Sequence, residues 1–195
     1  MALHVLTPPG AEPVSLEAAR AFLRRSGTED DALIGDLIAS ARASIEAATG
    51  LALITQSWRE TLDVWPRARL SACGQAVRLA RAPLISIEAV RVRDVNGALT
   101  VWDPAEYRVE PGEPGRLIAT LPFTLPQPDR APGGIEIDFT AGFGATAESV
   151  PAALREAILH QLAAGYGADR GEGASPVEPP DIVARLIAPY RRVRL

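Results

Sequence analysis

The sequence contains one cysteine, Cys73, and two histidines, His4 and His160. A single cysteine excludes a disulfide within the chain and any metal site built from several cysteines. The two histidines lie far apart in sequence, which leaves little material for a histidine-based metal centre. We therefore expect neither a metal ion nor a cofactor.

Long hydrophobic runs and lysine are also missing. A membrane-spanning helix needs about 20 apolar residues in a row, and the chain has no such run. Residues 1–6 lack the basic start and long apolar core of a secretory signal. All 20 basic residues are arginines, and the net charge of −4 argues against a protein that coats nucleic acid. We expect a soluble protein made in the cytoplasm.

The residues that are present are typical of a folded chain. Its 195 residues are 47% hydrophobic and 23% charged, which suits one domain or one domain with a sizeable insert. Up to about Leu51 the spacing predicts two helices. Ser15 is a favourable N-cap for the first, and Ser26 with Gly27 is expected to end it.

The second helix is expected to begin at an N-cap formed by Thr28. Glu29, Asp30 and Asp31 then lie in its first turn, where the helix dipole favours negative charge. Gly50 stands where a left-handed C-terminal cap is expected. This is the clearest helix pattern in the chain.

Residues 55–142 change to the alternation that is typical of β-strands. Strands are predicted at residues 58–64, 77–79, 85–93, 99–102, 107–109, 116–119 and 135–139. Residues 94–97 carry the signal of a hairpin turn. Most of the 17 prolines lie here or in the loops and leave no room for long helices. We predict a small antiparallel sandwich or barrel.

Helical spacing returns near the end of the chain. Pro151 suits the first position of a helix, and apolar residues follow at helical spacing as far as Tyr166. Residues 169–180 form a glycine- and proline-rich connector. A final short helix over residues 181–190 is followed by a basic tail.

Helices at both ends with strands between them indicate the α+β class. We predict a helical bundle built from the N- and C-terminal helices, with a small antiparallel β domain inserted into it. The expected boundaries are 1–54 for the N-terminal helices and 55–142 for the inserted β region. Residues 143–195 then provide the C-terminal helices and basic tail that complete the bundle.

One short pattern resembles a dinucleotide-binding turn. Gly142, Gly144 and Ala147 match G-x-G-x-x-G/A directly after a predicted strand. The pattern requires a helix that starts at the second glycine, whereas Pro151 marks a later helix start. We therefore interpret it as a strand-to-helix turn, with a nucleotide-binding enzyme as a distant alternative.

No other residues indicate catalysis. Glu29, Asp30 and Asp31 are adjacent on a helix and point in different directions, so they are poorly arranged for a metal. His160 has no relay partner at a suitable spacing, and Cys73 has no activating neighbour. Motifs of serine hydrolases, P-loop proteins and zinc peptidases are absent. We expect a protein that is not an enzyme.

Two features could instead contact partners. The three tryptophans all lie in the sheet region; core packing explains one or two, and subunit contact could explain another, such as Trp102. The basic tail is either a solvated terminus or a docking segment for a partner. Its candidate docking residues are Leu186, Pro189, Tyr190, Arg191, Arg192 and Arg194.

The order of these motifs resembles the gp6-like head–tail connector (adaptor) proteins of tailed phages. The resemblance runs from about Val14 to Arg192. Its opening segments are Ser15-Leu16-Glu17-Ala18-Ala19, Phe22-Leu23-Arg24, Asp30-Asp31-Ala32-Leu33-Ile34 and Thr55-Gln56-Ser57-Trp58. Its later segments are Ala82-Pro83-Leu84-Ile85-Ser86-Ile87, Phe139-Thr140-Ala141-Gly142-Phe143, Val150-Pro151, Leu154-Arg155 and Pro189-Tyr190-Arg191.

The resemblance implies a structural role in the neck of a phage or a phage-derived gene transfer agent, assembled in the bacterial host. Such connectors form a ring, usually twelve-fold, below the portal protein and extend the DNA channel. They also form a platform for a tail-side stopper or connector protein. Double-stranded DNA passes without sequence-specific binding, and no membrane is involved. A different head-completion or tail-end protein, a stopper or terminator, stays open as the alternative.

Two site hypotheses follow from this resemblance. The tail and its preceding helix would dock onto the portal. Glu29, Asp30, Asp31 and Trp102 would face the channel or a neighbouring subunit, because acidic side chains in a channel repel DNA.

Overall fold

The computed structural model describes residues 1–66, 69–71, 74–169 and 180–191. Its chain divides into two compact units. A β-rich unit comprises Met1–Pro8 and Thr55–Gly142, and a helical unit comprises Pro9–Ile54 and Phe143–Leu195. The four α-helices and two antiparallel sheets of the described residues make this a mixed α+β protein.

The β-rich unit contains two sheets whose neighbouring strands are all antiparallel. The strands are β1 (Ala2–Thr7), β2 (Gln56–Leu62), β3 (Arg69–Ser71), β4 (Gly74–Arg78), β5 (Leu84–Arg93), β6 (Leu99–Val101), β7 (Tyr107–Glu110), β8 (Arg116–Ala119) and β9 (Ile135–Ala141). The five-stranded sheet has the order β1-β2-β9-β5-β6, and the four-stranded sheet has the order β3-β4-β8-β7.

Alternation along the strands places one face of the five-stranded sheet in the core. Trp58 and Leu62 of β2 are buried, and they pair in register with the buried Phe139 and Ile135 of β9. The alternate side chains, such as Arg59 and Thr61, lie on the opposite face. The hairpin that connects β5 and β6 turns at Gly97, whose φ of 86° favours glycine, as the turn signal predicted.

The helices of the second unit are α1 (Leu16–Phe22), α2 (Asp31–Thr49), α3 (Ala152–Asp169) and α4 (Asp181–Ile187). α2 packs against α3 and α1, and α4 packs against α3. Ser15 caps α1 by accepting a hydrogen bond from the amide of Ala18 at 3.1 Å. Gly50 ends α2 in the left-handed conformation, with φ of 75°. Both caps confirm the predictions.

Two helix boundaries differ from the prediction. α1 ends at Phe22 rather than near Ser26, and α2 begins at Asp31 with Asp30, not Thr28, as its N-cap residue. The side chain of Asp30 makes no capping bond. Its carboxylate accepts a hydrogen bond from Tyr166 of α3, so a contact between distant helices replaces the local cap.

The first strand, β1, was not predicted. Its residues pair antiparallel with β2, with His4 opposite Arg59 and Val5 opposite Trp58. Residues 1–8 consequently group with the strands, whereas the sequence assigned residues 1–54 to the helices. The segment buries so little of its surface that its alternation carries no clear apolar face.

Candidate functional site

Two acidic residues at the start of α2, Asp30 and Asp31, hold parts of the helical unit together. Asp30 accepts a hydrogen bond from the Tyr166 hydroxyl at 2.5 Å and lies 3.4 Å from Arg25. Asp31 forms an ion pair with Arg20 of α1 at 2.8 Å. The preceding Glu29 is exposed. Intramolecular contacts thus account for Asp30 and Asp31, while Glu29 faces solvent.

Substituting Tyr166 with phenylalanine tests this structural role of Asp30. We expect the free energy of unfolding to fall by about 1.5–2 kcal/mol, because the lost hydrogen bond has a charged acceptor and Tyr166 is buried. Urea unfolding followed by far-ultraviolet circular dichroism measures the change. The exposed neighbour provides the control: Glu29→Ala should change stability by less than about 0.5 kcal/mol. Equal effects of the two substitutions would contradict this assignment.

Trp102 belongs to an aromatic cluster inside the β-rich unit. It is 6% exposed, and its ring lies 4.8 Å from Tyr107 and 6.2 Å from Trp65, measured between ring centroids. Its indole nitrogen donates a hydrogen bond of 2.6 Å to Glu106. Burial, with a smaller contribution from the charge of Asp103, raises the pKa of the Tyr107 hydroxyl. Contacts within the chain therefore account for Trp102 without a neighbouring subunit.

A cleft of about 350 Å³ opens beside this cluster. Its lining includes Thr100 and Val101 of β6 and the indole of Trp102. The remaining lining residues are Val92, Arg93, Asp94, Asp103, Glu106, Pro126, Gln127 and Asp129. The cleft thus combines an apolar wall on a strand edge with a mainly acidic rim.

The predicted docking segment is only partly described. Val183 and Ile187 on α4 are each 1% exposed, which anchors this helix. Leu186 and Tyr190 are half-buried, and Pro189 and Arg191 are exposed. Arg192 and Arg194 lie outside the described residues, as does the connector from 170 to 179. The anchored helix and the exposed residues that follow it are distinct parts of this segment.

The turn from Gly142 to Ala147 lacks the geometry of a dinucleotide site. α3 begins only at Ala152, after a short 3₁₀ turn at Ala147–Ser149. A side chain on Gly144 would collide with Ser149, which explains why glycine stands there. The preceding strand, β9, lies between antiparallel neighbours, so no parallel β-α-β unit is present at this turn. The pattern reflects local packing.

A network of charges on the outer face of the five-stranded sheet was not predicted from the sequence. Asp138 of β9 accepts hydrogen bonds of 2.6 and 2.8 Å from Arg59 and one of 2.7 Å from Arg91. Glu136 lies 3.7 Å from Arg59 and 3.9 Å from Arg93. The strand alternation predicts charged residues on one face, but the pairs depend on the strand register, which the sequence does not show.

These contacts shift the ionisation of Asp138. Hydrogen bonds from Arg59 lower the pKa of the Asp138 carboxyl most strongly; burial opposes this, and Arg91 lowers the pKa further. The net result is a pKa below the ordinary value. The same pairing raises the pKa of Arg59. Asp138 and Arg59 thus form a structural ion pair that stays ionised at neutral pH.

Within the described parts of the chain, no group of three or more histidine, cysteine, aspartate or glutamate side chains is arranged to hold a metal ion. His160 contacts Phe22 edge-on, with ring centroids 5.2 Å apart, and lies 3.8 Å from Glu156. Cys73 is outside the described residues. No helix among the described residues is both long and apolar enough to span a membrane.

Comparison with solved structures identifies the relatives of this chain. The neck of an empty gene transfer agent (GTA) particle, computed with C6 symmetry, matches with a TM-score of 0.77 and 31% identity. The neck of a native GTA particle, computed with C12 symmetry, matches with a TM-score of 0.73 and 33% identity. Each match covers 100% of this chain and 97% of the other chain. The chain belongs to the family of neck proteins of gene transfer agent particles.

A third match, to a chain in the virion of a native GTA particle, has a TM-score of 0.75 and 31% identity over the same extent. The sequence matches no protein-family model and no curated protein. Since similar structures come from particle necks, this neck protein has a structural role. The neck symmetries are consistent with a ring oligomer.

Proposed function

We propose that this neck protein is the head–tail connector, or adaptor, of its particle and resembles the gp6-like connectors. In this proposal a homo-oligomeric ring, twelve-fold like the C12 symmetry of one similar neck, sits below the portal and extends the DNA channel. A tail-side stopper or connector protein attaches to the ring. The observation that carries the proposal is the match to GTA necks over the whole chain at 31–33% identity.

The charge distribution supports a channel that DNA passes without being bound. The net charge is −4, and the arginines on the outer sheet face are engaged by Asp138 and Glu136. The exposed Glu29 is the acidic residue that we propose for the channel wall or a subunit contact. Duplex DNA gains affinity mainly from unpaired cations near its phosphates, and such pairing removes them.

The proposed domain organisation is a helical bundle with an inserted β region. Residues 55–142 are an insert, and the helices before and after it form the connector bundle. The packing of α2 against α3, and of α4 against α3, supports this arrangement. A helical body and a sheet unit would also give each subunit two chemically different surfaces, which head-to-tail ring contacts require.

Native mass spectrometry of the chain, alone and mixed with the portal of the same particle, tests the proposal. We expect a ring-sized assembly in the presence of the portal. If the chain does not bind the portal but binds the end of the tail tube, the adaptor role is contradicted and the protein is a tail-end protein instead. Nucleotides should cause no thermal shift, since the Gly142 turn lacks a helix start.

The C-terminal segment is the proposed portal contact. Serine at Arg191, Arg192 and Arg194 should weaken portal binding at least about tenfold, because arginine is a frequent anchor of interfaces. Biosensor titration measures the affinity. The matched control places serine at three other exposed arginines, Arg24, Arg108 and Arg130, and should retain binding within about twofold. Unchanged binding by the tail variant would refute portal docking by these residues.

Removing residues 181–195 would be a poorer test. It deletes α4, whose Val183 and Ile187 are almost fully buried, so it would uncover apolar surface on α3. Loss of portal binding would then follow from partial unfolding as readily as from loss of a contact. Point substitutions after α4 avoid this ambiguity.

A further inference from the structure

The five-stranded sheet has two free edges, and both are chemically unprotected. β1 and β6 occupy the two ends of the strand order, and among the described residues no further strand pairs with either. Neither strand contains proline or a residue of the acidic or arginine type. Free edges of this kind pair with other chains, so single-chain proteins usually protect them with charge or proline.

Large apolar side chains are exposed along these two edges. On β1, Val5 and Leu6 are each 47% exposed; on β6, Val101 is 57% exposed and Leu99 is 36% exposed. The cleft described above adjoins Val101 on this side. Both edges therefore offer apolar surface as well as backbone hydrogen-bonding groups.

The other sheet of the same unit provides an internal comparison. Its edge strand β7 carries Arg108 and Glu110, which form an ion pair at 2.9 Å with both side chains more than 40% exposed. This edge has the charge protection that is expected of a strand facing water. The absence of charge on β1 and β6 is thus specific to the five-stranded sheet.

We propose that β1 of one subunit pairs with β6 of the next subunit in the neck ring. This inference rests on the proposed ring and names its subunit contact. A ring needs two different surfaces on opposite sides of each subunit, and the two ends of a sheet meet that condition. The occupant of each edge is therefore a second copy of this chain.

Topology fixes the direction of this pairing. Every neighbouring pair in the sheet is antiparallel, so the first and fifth strands, β1 and β6, run in the same direction. Rotation about the ring axis keeps the direction of each strand along that axis the same in every subunit. β1 and β6 of adjacent subunits must then pair in parallel, and the sheets would join into one closed β-belt without free edges.

The register also predicts which side chains share a face. His4 lies opposite Arg59, and Val101 lies opposite Arg91, so both are on the charged outer face. Val5 lies opposite Trp58 and is on the core face. Across a β1–β6 contact, His4 and Val101 should therefore project from the same face, whereas Val5 and Val101 should project from opposite faces.

Charge substitutions at the edges test the proposal. Val5→Lys and Val101→Lys should each abolish the ring on the portal, because a lysine at the edge opposes strand pairing. An equal mixture of the two should stop at a dimer, since each variant keeps one intact edge. Leu121→Lys, at a loop residue that is 63% exposed, is the matched control and should form rings. Tryptophan fluorescence verifies that each variant is folded.

Cross-linking identifies the strands directly. In a Cys73→Ser background, His4→Cys with Val101→Cys should link adjacent subunits through a short thiol reagent only when the ring is assembled. Four strand spacings of about 4.8 Å separate the two positions within one chain, which is too far for such a link. The pair Val5→Cys with Val101→Cys should link several-fold less.

The outcomes separate this inference from the proposed function. If the unmodified chain forms no ring on the portal, both fail. If it does form a ring, and Val5→Lys and Val101→Lys form it equally well without cross-links between His4→Cys and Val101→Cys, the edge contact is refuted and the adaptor role stands. Loss of the ring in both edge variants, with cross-links in the unmodified ring, supports the contact.

Discussion

Replacing Glu46 with alanine is expected to lower the free energy of unfolding by about 3 kcal/mol, because it leaves the buried amide of Leu53 without its acceptor and removes one of the two carboxylates that pair with Arg42. Glu46 is 4% exposed, accepts a hydrogen bond of 2.8 Å from the amide of Leu53, and lies 3.2 Å from Arg42. It thereby holds the end of α2 to the buried segment that follows the helix.

The state of Arg42 explains why the loss is large. Burial lowers the pKa of its guanidinium, but hydrogen bonds and charges from Glu12 and Glu46 outweigh this and raise the pKa above its ordinary value. Without Glu46, Glu12 is the one of these two carboxylates that still pairs with the Arg42 guanidinium. Glu46→Gln should recover part of the loss, because it keeps an acceptor for Leu53.

Far-ultraviolet circular dichroism during urea unfolding measures this change, since the helices dominate the signal. The control is Glu17→Ala, an exposed glutamate on α1, which should alter stability by less than about 0.5 kcal/mol. A loss below about 1 kcal/mol for Glu46→Ala would show that water replaces the buried contacts.

Replacing Asp138 with asparagine should destabilise the β-rich unit by about 2 kcal/mol at neutral pH, since three charge-assisted hydrogen bonds lose their ionised acceptor. We place the effect below that of Glu46 because Arg59 and Arg91 are 35% and 26% exposed and water can solvate them. Tryptophan fluorescence follows this unit selectively, because all three tryptophans lie in it.

The effect of Asp138 should depend on pH. The folded protein lowers the pKa of the Asp138 carboxyl below the ordinary aspartate value of 3.8, so the ionised carboxylate stabilises the fold fully above that value. This contribution is lost as the pH falls through the lower, folded-state pKa. Unfolding curves of the original chain and of Asp138→Asn should therefore converge in acid. A stability difference that stays constant from neutral to acidic pH would contradict the assigned pairing.

Local patterns in the sequence predicted most of the secondary structure. Alternation located β2, β5 and β9, and the turn signal located the hairpin at Gly97. Each of these features depends on residues that are close together in the chain. Ser15 and Gly50 located two helix ends for the same reason. Each signal is short-range and agrees with the burial that the fold imposes.

Prediction from the sequence failed where contacts between residues distant in the chain determine the local structure. Thr28 has the side chain of a good N-cap, but Asp30 is the N-cap residue, and its carboxylate accepts a hydrogen bond from the hydroxyl of Tyr166 on α3. β1 has almost no buried side chain, and only its pairing with β2 makes it a strand. Trp102 is an aromatic residue that either a core or an interface can use, and only its contacts with Tyr107 and Glu106 distinguish the two.

The chain passes three times between the two units, after Pro8, after Ile54 and after Gly142. Neither unit is consequently a continuous stretch that can be expressed by itself without a new break. A fragment of residues 55–142 would lack β1 and leave β2 as a bare, aggregation-prone edge. During synthesis β1 cannot pair with β2 until residues 55–62 have left the ribosome. The segment that forms α1 and α2 is therefore synthesised while the sheet is still incomplete. A protease cut at any one crossing would leave the two units tethered by the other two.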